Sequence, residues 1–155
     1  MHESDLDAVL LIERAAYEFP WTRGNFLDSL RAGYEMQVLW APGEPTVGPS
    51  GYCIAMTGAD EVHLLNLAVL PVLEGRGHGR FMLDALCQQA LRRGLGLLWL
   101  EVRVSNARAR ALYERYGFRS VGLRRRYYPA QAGTREDAVV MRLDLGSTAL
   151  GGETP

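Results

Sequence analysis

Three closely spaced glycines near the middle of the chain could bind a phosphate group. Gly75, Gly77 and Gly79 follow an apolar segment that ends near Val69, and helical periodicity begins at the second of them. The first amide N–H groups of a helix have no partner within the helix and carry the positive end of its dipole, so they stabilise an anion. Glycines leave space for that anion and permit backbone angles that other residues avoid. The spacing therefore predicts an anion-binding turn at the start of a helix.

The same glycines have a second interpretation. Their spacing is neither the Gly-x-Gly-x-x-Gly that follows a strand in dinucleotide-binding folds nor the Gly-Lys-Ser/Thr ending of a Walker loop. Arg76 and Arg80 add positive charge beside the turn. Taken alone, three glycines are as consistent with a flexible turn into a helix as with a phosphate site.

Glu101 is a candidate general base. It follows the run from Leu97 to Leu100, which is apolar on both faces, as expected for a strand covered on both sides. An ionised carboxylate is costly to bury, so this one must be solvated, paired with a cation, or raised in pKa. The ends of parallel strands are also where open α/β sheets bind ligands. The alternative is a glutamate at the sheet edge that simply reaches solvent.

Tyr113 and Asn106 are polar residues with two possible roles each. Tyr113 shares a stripe of helical spacing with Ala109, Leu112 and Tyr116, which favours a core aromatic residue. Its hydroxyl group would still need a hydrogen-bond partner if it were buried. Asn106 is at least as well suited to cap the start of a helix as to contact a ligand.

The histidines and cysteines indicate neither a metal site nor covalent catalysis. His2, His63 and His78 lack the spacing of metal ligands, and no serine or cysteine is paired with a base, so we expect neither metal nor covalent intermediate. Cys53 and Cys87 lie in apolar patterns without a Cys-x-x-Cys spacing. They are predicted to be buried, reduced thiols.

The composition is that of an ordinary globular protein. The 155 residues suffice for one domain with a real core, which we expect to span residues 1–145. Hydrophobic residues make up 48% and charged residues 23% of the chain, and 17 basic side chains face 18 acidic ones, a balance that does not suggest nucleic-acid binding. No signal peptide and no apolar run near the roughly 20 residues of a membrane span is present. We therefore expect a cytoplasmic protein.

Hydrophobic periodicity predicts four helices and six strands, with a βαβ unit around the glycine turn. Residues 41–51, with three prolines and three glycines, are predicted to form a loop. Residues 146–155 are small and polar and are predicted to be a disordered tail. The predicted helices cover residues 6–18, 22–31, 77–93 and 106–116. The predicted strands cover residues 34–40, 52–57, 62–69, 97–102, 118–127 and 138–145, the last two as antiparallel neighbours joined by the loop 128–137.

Motifs spread over nearly the whole chain, up to Leu145, resemble known acetyltransferases. The segments that resemble the GNAT acyl-CoA acetyltransferases are Leu-Asn-Leu-Ala-Val at 65–69, the glycine turn, Leu-Trp-Leu-Glu-Val-Arg at 98–103, Ser-Asn at 105–106, Ala-Leu-Tyr-Glu at 111–114 and Tyr-Gly-Phe at 116–118. Three further segments resemble one group within that family, the ribosomal-protein-alanine N-acetyltransferases. They are Phe-Pro-Trp at 19–21, Arg-Arg-Arg-Tyr-Tyr-Pro at 124–129 and Arg-Glu-Asp-Ala-Val-Val-Met at 135–141.

This resemblance implies an α/β fold. Its central sheet is mixed and mostly antiparallel, with helices on both faces and a parallel strand pair that splays apart. Acetyl-CoA would lie in the V-shaped gap between the strands that end near Val69 and Val102. Family members usually carry a short strand before the first helix, whereas only Met1 to Ser4 precede it here. We therefore expect a truncated first strand, which would leave a sheet edge exposed.

The resemblance also implies roles for individual residues. Glu101 would accept a proton from the attacking amine, and Tyr113 would donate one to the leaving thiolate. Asn106 would contact the cofactor, the backbone of Leu67, Ala68 and Val69 would hold the pantetheine arm and thioester, and the pyrophosphate would be held by Gly75, Arg76, Gly77, His78, Gly79 and Arg80. Glu74 departs from the family, which usually has Gln or Arg there. An acid should repel the pyrophosphate unless it points to solvent or neighbouring arginines offset it.

The predicted function is transfer of an acetyl group from acetyl-CoA to the N-terminal α-amine of a protein, most simply the alanine of a small-subunit ribosomal protein. Tyr127, Tyr128 and Pro129 favour a peptide as partner, because two aromatics and a proline line a groove better than they hold a small cation. Neither nucleic acid nor membrane is expected as a partner. Two alternatives stay open: a GNAT enzyme for another amine, such as a lysine or a small metabolite, and a non-catalytic acyl-CoA-binding module. The presence of both Glu101 and Tyr113 argues against the second.

Overall fold

The computed structural model describes residues 1–43 and 48–148 and contains the predicted helices and strands, with small shifts at their ends. The helices are α1 (Leu6–Ala16), α2 (Arg23–Arg31), α3 (His78–Arg92), α4 (Ala107–Tyr116) and a final turn, α5 (Leu145–Thr148). The strands are β1 (Glu35–Leu39), β2 (Gly51–Thr57), β3 (Glu61–Val69), β4 (Leu97–Arg103), β5 (Arg119–Pro129) and β6 (Arg135–Asp144). Among the described residues, no helix is long and apolar enough to cross a membrane.

At the C-terminal end, residues 145–148 form the turn α5, and residues 149–155 lie outside the described part of the chain, so the disordered tail 146–155 stays a prediction. One boundary needs correction. The predicted loop 128–137 is shorter, because β5 continues to Pro129 and β6 begins at Arg135.

The six strands form one mixed sheet in the order β1-β2-β3-β4-β6-β5. The pairs β1/β2, β4/β6 and β5/β6 are antiparallel. β3 and β4 are parallel, with a register that runs from Glu61 opposite Leu97 to Leu64 opposite Leu100. A parallel pair needs a crossover connection, and α3 supplies it. The predicted mixed sheet with one parallel pair is therefore confirmed.

The chain divides into two compact units, and the first comprises residues 1–56 and 65–84. Its core is built on the buried face of α1, where Leu6, Val9 and Leu10 recur at helical spacing. Phe26 of α2 and Tyr52 of β2 pack against this face, with their rings edge to face at 5.6 Å. Each fully buried side chain of this size contributes about 1.5–3 kcal/mol of transfer free energy.

Local hydrogen bonds set the start of each N-terminal helix. Thr22 caps α2: its hydroxyl accepts from the Asn25 N–H at 3.2 Å, and the Asn25 side chain accepts from the Thr22 N–H at 2.8 Å. Asp5 does not cap α1 with its side chain and instead accepts from the His2 N–H at 2.7 Å.

Residues 1–5 contain a 3₁₀ turn and no strand. The amino group of Met1 donates a hydrogen bond to the carbonyl of Met36 in β1 at 2.7 Å. That bond satisfies one carbonyl on the outermost strand at this end of the sheet. The edge is thus covered in part by the start of the chain.

The second unit comprises residues 57–64 and 85–155. In its strand β4, Leu98, Leu100 and Val102 are buried, whereas the alternating residues are half-buried. The strand is therefore buried on one face and covered only in part on the other. The less covered face carries Trp99 and Glu101, so a polar side chain can project there without being fully desolvated.

Candidate active site

Glu101 projects from β4 and is held at both carboxylate oxygens. Its Oε1 lies 3.1 Å from Nε of Arg124 on β5, and its Oε2 forms a very short contact with Nε2 of His63 on β3. The side chain is only 7% exposed. Of the three possibilities that the sequence left open, the structure shows pairing with cationic or hydrogen-bonding partners.

Two opposing influences act on the pKa of Glu101. Burial alone would raise the pKa of this carboxyl, but the hydrogen bond and charge of His63 and the charge of Arg124 lower it below its ordinary value. Glu101 is therefore an anion at neutral pH. It can accept a proton, although it is a weaker base than a solvated glutamate.

His63 is a residue of this site that the sequence did not reveal. Spacing along the chain excluded it as a metal ligand, but its partner lies 38 positions away. The parallel register places His63 opposite Trp99, two residues before Glu101. A signal was available, because the predicted βαβ unit makes the two strands neighbours, yet the register that brings these side chains together could not be derived from periodicity.

Tyr128 forms a second part of the same site in β5. The guanidinium of Arg103 lies 4.5 Å from the centre of its ring and donates to the Pro129 carbonyl at 2.7 Å. Burial raises the pKa of Tyr128, and the nearby Tyr127 and Glu101 act in the same direction. The Tyr128 phenol therefore keeps its proton at physiological pH and lies within the electrostatic reach of Glu101.

A bulge in β5 determines where Arg124 and Tyr128 project. The register with β6 shifts between these two residues, and Arg126 between them has a left-handed φ of 51°, which is unfavourable for a residue with a Cβ. The Arg126 N–H donates to Asp137 at 2.8 Å. Arg135 donates to the carbonyls of Arg126 and Tyr127, each at 2.8 Å. Side chains of β6 thus stabilise the bulge.

Glu136, in the Arg-Glu-Asp-Ala motif, also stabilises this region through its side-chain contacts. It accepts from the N–H and the hydroxyl of Ser105, both at 2.9 Å, and lies 3.4 Å from Arg103. The hydrogen bonds from Ser105 lower the pKa of Glu136. The motif that suggested a subfamily therefore has a physical role, which is to connect the end of β4 to the hairpin that carries the tyrosines.

Tyr113 and Asn106 occupy the structural positions that their spacing suggested. Tyr113 is buried in α4 and packs edge to face against Phe118, with ring centres 5.5 Å apart. Asn106 caps α4, and its side-chain oxygen accepts from the Ala109 N–H at 3.1 Å. The side-chain partners of Glu101 are His63 and Arg124, not Tyr113. Proton donation by Tyr113 and cofactor contact by Asn106 stay predictions.

The glycine turn, in the first unit, has the backbone that an anion site requires. Gly75 and Gly77 have φ values of 77° and 85°, so both use conformations that favour glycine. A Cβ added at Gly77 would meet no atom within 4 Å, which leaves the turn open. The 15-residue helix α3 starts at the next residue, His78. These features fit a pyrophosphate at the helix N-terminus.

The predicted thioester strand, residues 67–69, is tied to the N-terminal helices. The hydroxyl of Tyr17 donates to the Leu67 carbonyl. Glu13, only 1% exposed, accepts from the Trp21 N–H at 2.8 Å and from the Asn66 side chain at 3.1 Å. Burial raises the pKa of Glu13, while these two hydrogen bonds oppose that change. This buried acid could not be predicted from the sequence, because Glu13 continues an otherwise ordinary helical pattern.

Comparisons with known proteins agree with this architecture. The family model described as the acetyltransferase (GNAT) family matches residues 6–118. A [ribosomal protein bS18]-alanine N-acetyltransferase of Haemophilus ducreyi is 38% identical over 143 residues, which cover 92% of this chain and 96% of that relative. The crystal structure of the ribosomal-protein-S18-alanine N-acetyltransferase from Escherichia coli has a TM-score of 0.82 at 39% identity and covers 94% of this chain and 90% of that one.

A more distant structure supports the fold. YncA of Salmonella typhimurium, determined with its cofactor acetyl-CoA, has a TM-score of 0.71 at 22% identity and covers 94% of this chain and 91% of that one. Likeness at this level of identity concerns the arrangement of helices and strands. Together with the family match and the two nearer relatives, it leads to one conclusion. The chain belongs to the GNAT acetyltransferase family.

Proposed function

We propose that this chain transfers the acetyl group of acetyl-CoA to the N-terminal α-amine of a protein, the alanine at the start of ribosomal protein bS18. Relatives that are 38% and 39% identical over more than nine tenths of this chain carry that activity in their names. The structural observation that carries the proposal is the paired carboxylate of Glu101 beside the hairpin of Tyr127 and Tyr128. The candidate proton acceptor and the candidate peptide-binding surface therefore lie within one unit of the chain.

Acetyl-CoA would be held by the backbone of Leu67, Ala68 and Val69 and by the turn of residues 75–80. It supplies an acyl carbon activated as a thioester. The left-handed glycines and the open space at Gly77 support the placement of its pyrophosphate. Arg76 and Arg80 supply charge that offsets Glu74.

Glu101 accepts the proton that the amine loses as the new C–N bond forms. Its lowered pKa keeps it ionised and ready at neutral pH. An α-amine has a pKa near 7.7–8.0, against about 10.4 for lysine, so a much larger fraction of it is already neutral and a weak base suffices. Tyr113 is the proposed donor to the leaving thiolate.

The substrate peptide would be bound by the hairpin with Tyr127 and Tyr128, whose rings meet edge to face at 4.9 Å. A small first residue is favoured, because the amine nitrogen must come within about 3–3.5 Å of the acyl carbon.

A pair of peptides tests the amine that is used. Both carry the N-terminal sequence of a bS18 protein and one internal lysine, and one has its α-amine blocked. With acetyl-CoA and enzyme, mass spectrometry should find the acetyl group on the free α-amine and no product from the blocked peptide. Equal acetylation of the two peptides would overturn the N-terminal assignment in favour of lysine. Absence of product from both, with acetyl-CoA still bound in calorimetry, would favour a non-catalytic module.

A further inference from the structure

His63 makes the closest contact to the proposed proton acceptor. Its Nε2 meets Oε2 of Glu101, while Arg124 is 3.1 Å from Oε1 on the other side. The imidazole is 24% exposed, against 7% for the carboxylate. The pair therefore has a buried acid and a partner that can exchange protons with solvent.

The contact with Glu101 determines which ring nitrogen of His63 carries a proton. An ionised carboxylate can only accept hydrogen bonds, so Nε2 of His63 carries the proton that faces Glu101. The other nitrogen, Nδ1, is then the one that is protonated or free according to pH. A neutral imidazole orients the carboxylate through its N–H without adding charge, and the Arg124 guanidinium then supplies the positive charge that keeps Glu101 ionised. An imidazolium places a second cation beside it, opposite Arg124, and weakens its affinity for a further proton.

We propose that His63 is a positioning residue for Glu101, whose neutral imidazole holds the carboxylate ready and whose imidazolium prevents it from accepting the proton of the substrate amine. The proposal rests on the proposed role of Glu101 in acetyl transfer. It predicts that acetylation declines on acidification faster than titration of the substrate amine requires. The proton lost by the amine still goes to a Glu101 oxygen, and His63 keeps its Nε2 proton throughout.

The other charged and titratable groups around His63 and Glu101 do not change charge between about pH 5 and 8, where histidine side chains titrate. Arg103 on β4 and Arg124 on β5 stay protonated. Tyr128 on β5 keeps its proton because its pKa is raised. Glu136 on β6 stays ionised because its pKa is lowered by Ser105. Since histidine side chains titrate between about pH 5 and 8, His63 is the member of this group that can act as the switch.

The test compares pH profiles of wild type and His63→Gln. The Gln side chain places an N–H near the position of Nε2 but cannot become charged. The titration of the substrate amine is the same for both enzymes, so it cancels in the ratio of their kcat/KM values. That ratio, wild type over variant, should fall on the order of tenfold between pH 8 and pH 5. His2→Gln removes an exposed histidine far along the chain from the site and should give a ratio that does not vary with pH.

A second variant separates positioning from folding. His63→Leu removes the donor and should lower kcat at pH 8 on the order of tenfold, the equivalent of one hydrogen bond to a charged group. His63→Gln should recover part of this loss. In a Glu101→Gln background, the change of His63 should have no further effect on kcat, because the carboxylate that it positions is absent.

The outcomes distinguish this proposal from the proposed function. A flat ratio for His63→Gln, with Glu101→Gln strongly impaired, would overturn the role of His63 and leave that of Glu101 intact. Full activity of Glu101→Gln would overturn both. In the chain there are three histidines, so NMR of labelled histidine gives a readout independent of activity. The chemical shift of the His63 signal should change in Glu101→Gln, because its Nε2 contacts the Glu101 carboxylate, and an unchanged signal would show that the two groups are not in contact in solution.

Discussion

At the scale of single residues, the site depends on how a nearly buried carboxylate is kept ionised. Burial opposes the charge of Glu101, and the two partners His63 and Arg124 outweigh it. Glu13 is also buried, but its pKa is raised, because its hydrogen-bond donors, the Trp21 N–H and the Asn66 side chain, are neutral. One acid is suited to accept protons, and the other to hold a segment in place.

Replacing Glu101 with Gln keeps the shape of the side chain and removes its basicity. We expect kcat to fall by about 10²–10⁴-fold, the usual range for a general base, with little change in acetyl-CoA affinity measured by calorimetry. A higher pH should partly restore the rate, because more amine is then neutral without help. Activity within a few-fold of wild type at pH 7 would mean that Glu101 has only a structural role.

The raised pKa of Glu13 predicts a dependence of stability on pH. A carboxyl that holds its proton more tightly in the folded state stabilises the fold below its unfolded pKa, and that stability is lost as the pH rises through the folded pKa. Wild type should therefore lose stability relative to Glu13→Gln between pH 4.5 and pH 8, in urea denaturation at each pH. Parallel curves for the two proteins would contradict a buried, raised Glu13.

The sequence revealed single residues better than it revealed pairs. Glu101 and the cap at Asn106 could be recognised because each follows from a local pattern, a strand end or a helix start. The partner His63 and the acid Glu13 could not, because their roles depend on residues 38 and 53 positions away. Such contacts are set by strand register and packing, which local periodicity does not contain.

At the scale of elements, the hairpin of β5 and β6 shows how a strand can be built to present side chains. The sequence predicted the two strands as antiparallel neighbours, which is confirmed, but placed a loop where pairing resumes at Tyr128 and Glu136. The reason is the bulge at Arg126, which interrupts the alternation of the strand and hides its continuation. Positive φ at a residue other than glycine is visible only in the structure.

The bulge also predicts an unusual effect of glycine in a strand. Arg126→Gly relieves the strain of a left-handed conformation, which costs a residue with a Cβ roughly 1–2 kcal/mol. The added freedom of the unfolded chain lowers stability by about 0.5–1 kcal/mol. The backbone N–H that donates to Asp137 is kept. The free energy of unfolding should stay level or rise. The control is Arg125→Gly, next to it and exposed, which should lower stability by about 0.5–1 kcal/mol. Equal losses in the two variants would show that Arg126 is not strained.

At the scale of the whole molecule, the order of helices and strands followed from the sequence, and the mixed sheet followed from the family resemblance. Hydrophobic periodicity predicted the helices and strands, and the glycine turn predicted the crossover helix between β3 and β4. What could not be predicted is the division of the chain into two compact units, because β3 and α3 each contribute to both. That the chain is a single domain up to residue 145 stays a prediction.

Ligand binding gives a test of the proposed cofactor site in the intact protein. A ligand that binds only the folded state stabilises it by about 2.7 kcal/mol at a concentration of 100 times its Kd, so acetyl-CoA should raise the Tm. Gly77→Asp places a carboxylate in the turn and should abolish both this shift and binding in calorimetry. Gly77→Ala carries the same backbone strain, from a φ of 85°, without the charge, and should retain part of the affinity. Wild-type affinity in Gly77→Asp would exclude the turn as the pyrophosphate site.

The amino group of Met1, which donates to the Met36 carbonyl, is the single aliphatic amine of this 155-residue sequence, because all 17 of its basic side chains are arginines. A guanidinium stays protonated at physiological pH and so does not compete with amines as a nucleophile. The sequence therefore has no lysine side chain that an acyl donor could modify. In an acetylation assay with this chain, acetyl-lysine detected on protein belongs to the substrate and not to the enzyme.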